Sequence, residues 1–126
     1  MEQTATGVKG LLVRDGKVLV LTKPDGKPDL PGGRVEKGEG PEESLHREIF
    51  EETGLIVEIL YPVAWWSFPK GPNLTVEGTT YLCRPSGRSL RLSPEHIRHD
   101  WVEGTKIDQI GWRYLRGYKH AHLSRA

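Results

Sequence analysis

The segment from Pro41 to Thr53 decides most of what this chain can become. Pro41 suits the first position of a helix, where no backbone N–H is needed, and Glu42 and Glu43 favour the positive end of the helix dipole. Gly54 stands where a left-handed C-terminal cap belongs. At about 100° per residue measured from Leu45, Ile49 falls at roughly 40° and Phe50 at roughly 140°, which defines an apolar side. Glu48, Glu51 and Glu52 fall at roughly 300°, 240° and 340°, so three carboxylates share an arc of about 100° beside that side. Like charges at this spacing cost roughly 0.2–0.5 kcal/mol each when exposed, and more when half-buried. They also lie towards the helix C-terminus, where the dipole disfavours anions. Arg47 supplies one compensating charge, and a hard cation held by oxygen ligands would supply two. The stripe alone leaves two readings open, a metal site and a solvated acidic face.

Strand-like runs lie on both sides of this helix. Val8–Val13 and Lys17–Thr22, joined through Arg14-Asp15-Gly16, predict a hairpin. Residues 23–29 carry turn chemistry throughout and predict an exposed loop. Leu55–Tyr61, Ala64–Phe68, Leu74–Arg84 and His99–Glu103 predict further strands, with a loop at 69–73. From an N-cap at Thr105, Ile107, Ile110, Tyr114, Leu115 and Tyr118 recur at helical spacing. Strands around one helix and a second helix at the end predict an α/β chain with a mixed sheet covered on two faces.

The 126 residues fit one domain, 36% hydrophobic and 28% charged. No run approaches the ~18 apolar residues of a membrane span, and the N-terminus lacks a secretory pattern, so a cytoplasmic protein is expected. The single cysteine, Cys83, excludes an internal disulfide and a thiolate zinc site, and its strand-like surroundings favour a buried structural thiol. Net charge is +1, too small to make nucleic acid the favoured partner. Charge is uneven, however. Residues 1–83 hold 9 Lys and Arg against 13 Asp and Glu, whereas residues 84–126 hold 9 against 4. The acidic part suits cations, and the basic part is either a solvated face or a polyanion contact.

Two glycines after Pro31 allow a sharp turn and close backbone approach, and Arg47 has Glu43 and Glu51 at i±4 and Glu39 in the preceding loop as ion-pair partners. In order, Gly33, Glu39, Arg47, Glu48, Ile49, Glu51, Glu52, Gly54 and Leu55 match all nine defined positions of the Nudix box, so residues 33–55 resemble the signature of the Nudix hydrolases. The resemblance implies an α/β/α sandwich with the mixed sheet between helices, over a single domain of residues 1–126. It implies divalent-metal-dependent hydrolysis of a phosphoanhydride bond in a nucleoside diphosphate derivative. Mg²⁺ would be the cofactor, with Mn²⁺ as substitute. Glu51 and Glu52 would be ligands, Glu48 a ligand or base, and a carbonyl of Gly32 or Gly33 a further ligand. Arg47 would orient the carboxylates and Glu39 would clamp Arg47. Glu95-His96 followed by Trp101-Val102 resembles a late family segment in which the Glu, here Glu95, is a ligand or the base. Clustered carboxylates holding divalent ions suit this chemistry, since they neutralise phosphoryl oxygens and activate water.

For substrate contacts, the expectations are Lys23 and Arg34 on phosphate and Trp65, Trp66 and Phe68 on a nucleobase. Adjacent Trp65 and Trp66 point to opposite faces of a strand, which predicts one in the core and one exposed. Pro28 stands where many members have a tryptophan. The expected partner is a small soluble nucleotide, such as a nucleoside triphosphate or an ADP-ribose-like compound, bound by a monomer or homodimer. Two alternatives are an RNA 5′-end pyrophosphohydrolase using Arg113, Arg116, Lys119 and His120, and a non-catalytic nucleotide sensor. An isomerase of related fold is the least favoured reading.

Overall fold

The turn at Asp15-Gly16 organises the first strands. Both residues hold positive φ, 52° and 74°, the backbone of a two-residue hairpin turn whose twist matches that of its strands. It joins β1 (Gln3–Arg14) to β2 (Lys17–Thr22). The computed structural model describes residues 2–87, 90–107 and 112–115. Among them follow β3 (Pro28–Asp29), β4 (Gly32–Arg34), α1 (Pro41–Thr53), β5 (Ile56–Pro69), β6 (Leu74–Ser86), β7 (Arg98–Glu103), α2 (Gly104–Ile107) and a 3₁₀ turn at Arg113–Leu115.

The seven strands described form one mixed sheet in the order β3-β2-β1-β6-β5, with β4 added to β1 and β7 to β2. β1 runs parallel to β6 from Gln3 opposite Leu74 to Leu12 opposite Cys83. Every other described pairing is antiparallel.

Alternation along β1 and β2 splits the interior into two cores. Val8, Leu12, Leu19 and Leu21 meet Leu45 and Ile49 of α1, together with Leu55, Val57 and Cys83. Leu11, Val13, Val18 and Val20 meet Ile107 and Leu115 on the other side, together with Leu30, Val63 and Leu82. Both faces are covered, so the run Val8–Val13 is almost continuously apolar instead of alternating. The mixed sheet between helices is therefore the arrangement expected from the sequence.

Several details differ from the sequence reading. β1 starts at Gln3 because its early residues pair with β6. The two strands expected at 55–68 are one, bent by register shifts between Ile59 and Tyr61 and between Pro62 and Ala64. Pro62 lacks a backbone donor, and a bulge accommodates that defect. Residues 23–29 are not all exposed loop, since Pro28 and Asp29 pair with Thr22 and Leu21 and Asp29 is buried. Phe50 is 46% exposed. The buried arc of α1 centres on Leu45, Ile49, Glu52 and Thr53, and Phe50 lies about 100° from Ile49 around the helix. It packs instead beneath Arg91, 5.3 Å from the guanidinium. α2 begins at Gly104, one residue before the expected cap at Thr105, and buries Ile107. Ile110 and Tyr118 lie outside the described residues.

Candidate active site

The carboxylates are presented by a helix built to hold its place. Pro41 opens α1, and Glu43 reaches back to accept from the Gly40 N–H at 3.3 Å, an anchor that needs no side chain on Gly40. Gly54 closes it with φ 75° and donates to the Phe50 carbonyl at 2.9 Å. Leu45 and Ile49, both fully buried, fix its rotation about the sheet.

That rotation gives the three glutamates different surroundings. Glu52 is 3% exposed and accepts from the Gly32 N–H at 3.0 Å. Burial pushes its carboxyl up to about 8; the Gly32 N–H and the Lys9 ammonium pull the other way, while Glu48 and Glu95 add to the rise. Glu48 is half-buried and pairs with Arg47 at 2.9 Å. Glu51 is exposed and pairs with Arg47 at 3.3 Å. Arg47 also grips Glu39 with two bonds, Nε at 2.6 Å and Nη2 at 3.0 Å, and Arg34 O at 3.5 Å. Glu43 is not among its partners, because it caps the helix. The Arg47 bonds and the Glu36 N–H hold the Glu39 carboxyl down at about 2, which makes Glu39 a charged anchor across the whole working pH range.

The Pro31-Gly32-Gly33 turn is packed against these groups. Gly32 has φ 143°, and a Cβ there would lie 2.1 Å from the Val8 carbonyl. A Cβ on Gly33 would lie 2.7 Å from the Glu48 carboxylate. Only glycines let β4 pair with β1 and let Glu48 approach the turn. Among the described residues, no three acidic, histidine or cysteine side chains close around a common point as they stand. Glu48 and Glu51 face Arg47, and Glu52 faces Gly32. The donor set is nonetheless all oxygen, and burial holds its most buried member far above the usual carboxylate range. A hard divalent cation fits such a set.

Beside Gly33 and Arg34 a cleft opens, with a cavity of about 130 Å³ lined also by Lys9, Trp66, Phe68, Lys70 and Tyr114. A neighbouring cavity of about 480 Å³ shares Phe68, Lys70 and Tyr114 and adds Lys23, Lys27 and Arg113. Trp66 is buried, donates to Thr80 Oγ1 at 3.0 Å, and meets Tyr114 edge-on at 4.9 Å between ring centres. The Arg113 guanidinium lies 4.0 Å over the Phe68 ring.

Arg34, Trp66, Phe68 and Lys23 are thus brought together along one cleft. Trp65 does not line that cleft; it is 64% exposed beside a depression of about 510 Å³ that Trp66, Thr6, Glu77 and Thr79 also line. Arg116, Lys119 and His120 lie outside the described residues. Cys83 is buried, and burial pushes its thiol up to about 12, as befits a packing residue.

Sequence reasoning missed Lys9, Lys70 and Tyr114 of the cleft, and Asp29 and His96 beneath it. Lys9 carried a signal, being the one charge inside Val8–Val13. Its ammonium is bound to Asp29 at 2.9 Å and to the Leu30 carbonyl at 3.0 Å, and stands 4.9 Å over the Tyr114 ring.

Comparison with known proteins agrees with this geometry. The family model described as NUDIX domain matches residues 1–119. A MutT-like protein of Streptomyces ambofaciens is 32% identical over 107 residues, covering 83% of this chain and 68% of the relative. An ADP-ribose pyrophosphatase of Methanocaldococcus jannaschii is 41% identical over 113 residues, covering 86% and 67%. The crystal structure of a MutT protein from Methanosarcina mazei Go1 superposes with a TM-score of 0.77 at 27% identity, covering 98% of this chain and 93% of that one. With the match spanning nearly the whole sequence and the box intact on α1, the chain belongs to the Nudix hydrolase family.

Proposed function

We propose that the 126 residues act as one Nudix domain that hydrolyses a phosphoanhydride bond in a small nucleotide, a nucleoside triphosphate or an ADP-ribose-like compound, with Mg²⁺ and with Mn²⁺ as substitute. The observation that carries this reading is Glu52. A carboxylate 3% exposed, with Glu48 and Glu95 near it and a cleft lined by Lys9, Arg34 and Lys70 alongside, suits a cation on one side and phosphates on the other. The kinship to an ADP-ribose pyrophosphatase supports the ADP-ribose-like substrate type.

In this reading Glu48, Glu51, Glu52 and Glu95, with a carbonyl of Gly32 or Gly33, would hold the cation. When bound, a divalent ion neutralises phosphoryl oxygens and lowers the pKa of water. Arg47, itself anchored by Glu39, keeps Glu48 from swinging into solvent. Glu48 or Glu95 takes the proton from the attacking water. Arg34 and Lys70 bind the diphosphate, with Lys9 held by Asp29 at the wall of the cleft, and Lys23 binds a more distant anion. Phe68, whose ring already lies under the Arg113 guanidinium, and Tyr114 line the side where a nucleobase would sit, and an aromatic contact there is worth about 1–3 kcal/mol.

A screen of nucleoside triphosphates, ADP-ribose, dinucleoside polyphosphates and triphosphorylated RNA, each with Mg²⁺ and Mn²⁺, tests the proposal. Turnover confined to the RNA would overturn the substrate reading, and turnover in EDTA would overturn the metal.

A further inference from the structure

The loop from 90 to 97 is fastened at both ends. The Arg91 N–H donates to the Thr53 carbonyl at 3.0 Å and the Ser93 N–H to the Glu52 carbonyl at 3.2 Å, which ties the loop to the last turn of α1. At the far end the Ile97 N–H donates to the Thr22 carbonyl at 2.8 Å. Between these points the His96 N–H returns to the Ser93 carbonyl at 3.1 Å, enclosing Pro94 and Glu95 in a tight turn. Glu95 itself is exposed.

The residue after Glu95 points inward. The His96 ring is 3% exposed and places Nε2 3.1 Å from Asp29 Oδ2. Asp29 Oδ1 accepts from Lys9 and from the Leu30 N–H, each at 2.9 Å. Among the described residues the Nδ1 atom of His96 is buried without a partner, and the ring meets the carboxylate through Nε2–H as donor. A buried chain Lys9–Asp29–His96 thus runs from the central strand, past the residue that precedes Leu30-Pro31-Gly32-Gly33, to the neighbour of Glu95.

Stability alone is a weak reason for such a chain, because buried ion pairs are commonly matched or exceeded by apolar replacements. Fixing a position is a better one. An exposed glutamate on a loop samples a wide volume, and misplacement by about 1 Å costs on the order of a hundredfold in rate. We propose that Asp29 and His96 are positioning residues for hydrolysis: their bond clasps the loop to the glycine turn and holds Glu95 facing Glu52. Their role rests on Glu95 serving as ligand or base. Against its burial, the His96 bond and then the Lys9 ammonium hold the Asp29 carboxyl below the usual carboxylate range, so Lys9 supports the clasp.

The test is a double-mutant cycle on the nucleoside triphosphate or ADP-ribose turned over fastest in the screen, at saturating Mg²⁺. His96→Ala is expected to lower kcat at least tenfold with KM changed less than about twofold. In a Glu95→Gln background the same change should lower kcat by less than twofold. His96→Gln, whose amide nitrogen can occupy the place of Nε2, should recover most of the rate. Amide exchange gives a readout independent of turnover: His96→Ala should speed exchange at His96 and Ile97 at least tenfold while β1 and β6 stay protected. Equal losses in both backgrounds overturn the clasp and leave Glu95 standing. A wild-type rate for Glu95→Gln overturns the role of Glu95 itself. If His96→Ala does not fold, Asp29→Asn, which keeps the side-chain shape, goes through the same cycle: a loss confined to the Glu95 background supports the clasp, and equal losses overturn it.

Discussion

Glu52 is the residue on which the chemistry turns, and its burial makes two predictions. Glu52→Gln preserves shape and still accepts from the Gly32 N–H, but removes the buried charge. Activity should fall by at least two orders of magnitude, about 2.7 kcal/mol or more in barrier, while the circular dichroism spectrum is unchanged. A variant with near-wild-type kcat would remove Glu52 from the ligand set. The second prediction concerns pH. The folded carboxyl titrates at about 8, well above its ordinary 4.5. Between those values the metal-free folded protein holds a proton that the unfolded chain has released. Metal-free stability should therefore decline as pH rises through that window, by at most about 1.4 kcal/mol per pH unit for one proton. Denaturation in EDTA at pH 5.5, 7 and 8.5 should show the decline in wild type and a flatter profile in Glu52→Gln. Metal binding demands the ionised form, so Mg²⁺ uptake at pH 7 should release protons, measurable by calorimetry in buffers of different ionisation enthalpy.

At the scale of elements, α1 does two jobs through two sides of one cylinder. Ile49 belongs to the packing side, fully buried in the core with Leu45. Ile49→Ala should cost about 2–5 kcal/mol through lost burial and a cavity, with the metal affinity of the folded fraction unchanged, as chemical denaturation and Mn²⁺ titration would report. An equal loss of metal affinity would mean that Leu45 cannot hold the rotation of α1 about the sheet without Ile49. The helix was legible in the sequence because local signals coincide there: Pro41 at the start, Gly54 at the stop, and apolar residues four apart. The same is true of the β1–β2 hairpin, marked by Asp15-Gly16. What escaped the sequence was non-local. Nothing local to Pro28-Asp29 says that it pairs with Leu21 and Thr22. Phe50 obeys the apolar code and is nevertheless exposed, because the centre of the buried arc is set by what α1 packs against. The cleft is hidden for the same reason, since Lys9, Lys70 and Tyr114 come from distant segments. His96 lay next to a glutamate already singled out, but its partner at position 29 is a tertiary fact.

In the whole molecule, a cation at the α1 carboxylates would bind the folded chain alone, and mass action then stabilises it. At Mg²⁺ a hundredfold above its dissociation constant the gain is about 2.7 kcal/mol. For a domain of this size that corresponds to a rise in Tm on the order of 10 °C. A thermal melt across an Mg²⁺ titration measures it, and a flat Tm at millimolar Mg²⁺ would count against a metal held by these groups. Among the described residues no helix is long and apolar enough to cross a membrane.

The parallel pairing of β1 with β6 has a consequence for synthesis. β1 is the strand against which β4 and the glycine turn are registered, and its own long partner begins only at Leu74. A ribosome that has just released residues 1–60 has produced every position of the box, yet the strand that must seat it has an open flank. Contacts this distant in sequence form slowly, because loop-closure entropy must be met first. Glu52 would then ride on a loosely seated helix, with Gly32 and Lys9 already made but not yet held in register against it. A motif that reads as a self-contained module in the sequence is, as a physical object, dependent on a strand translated after it.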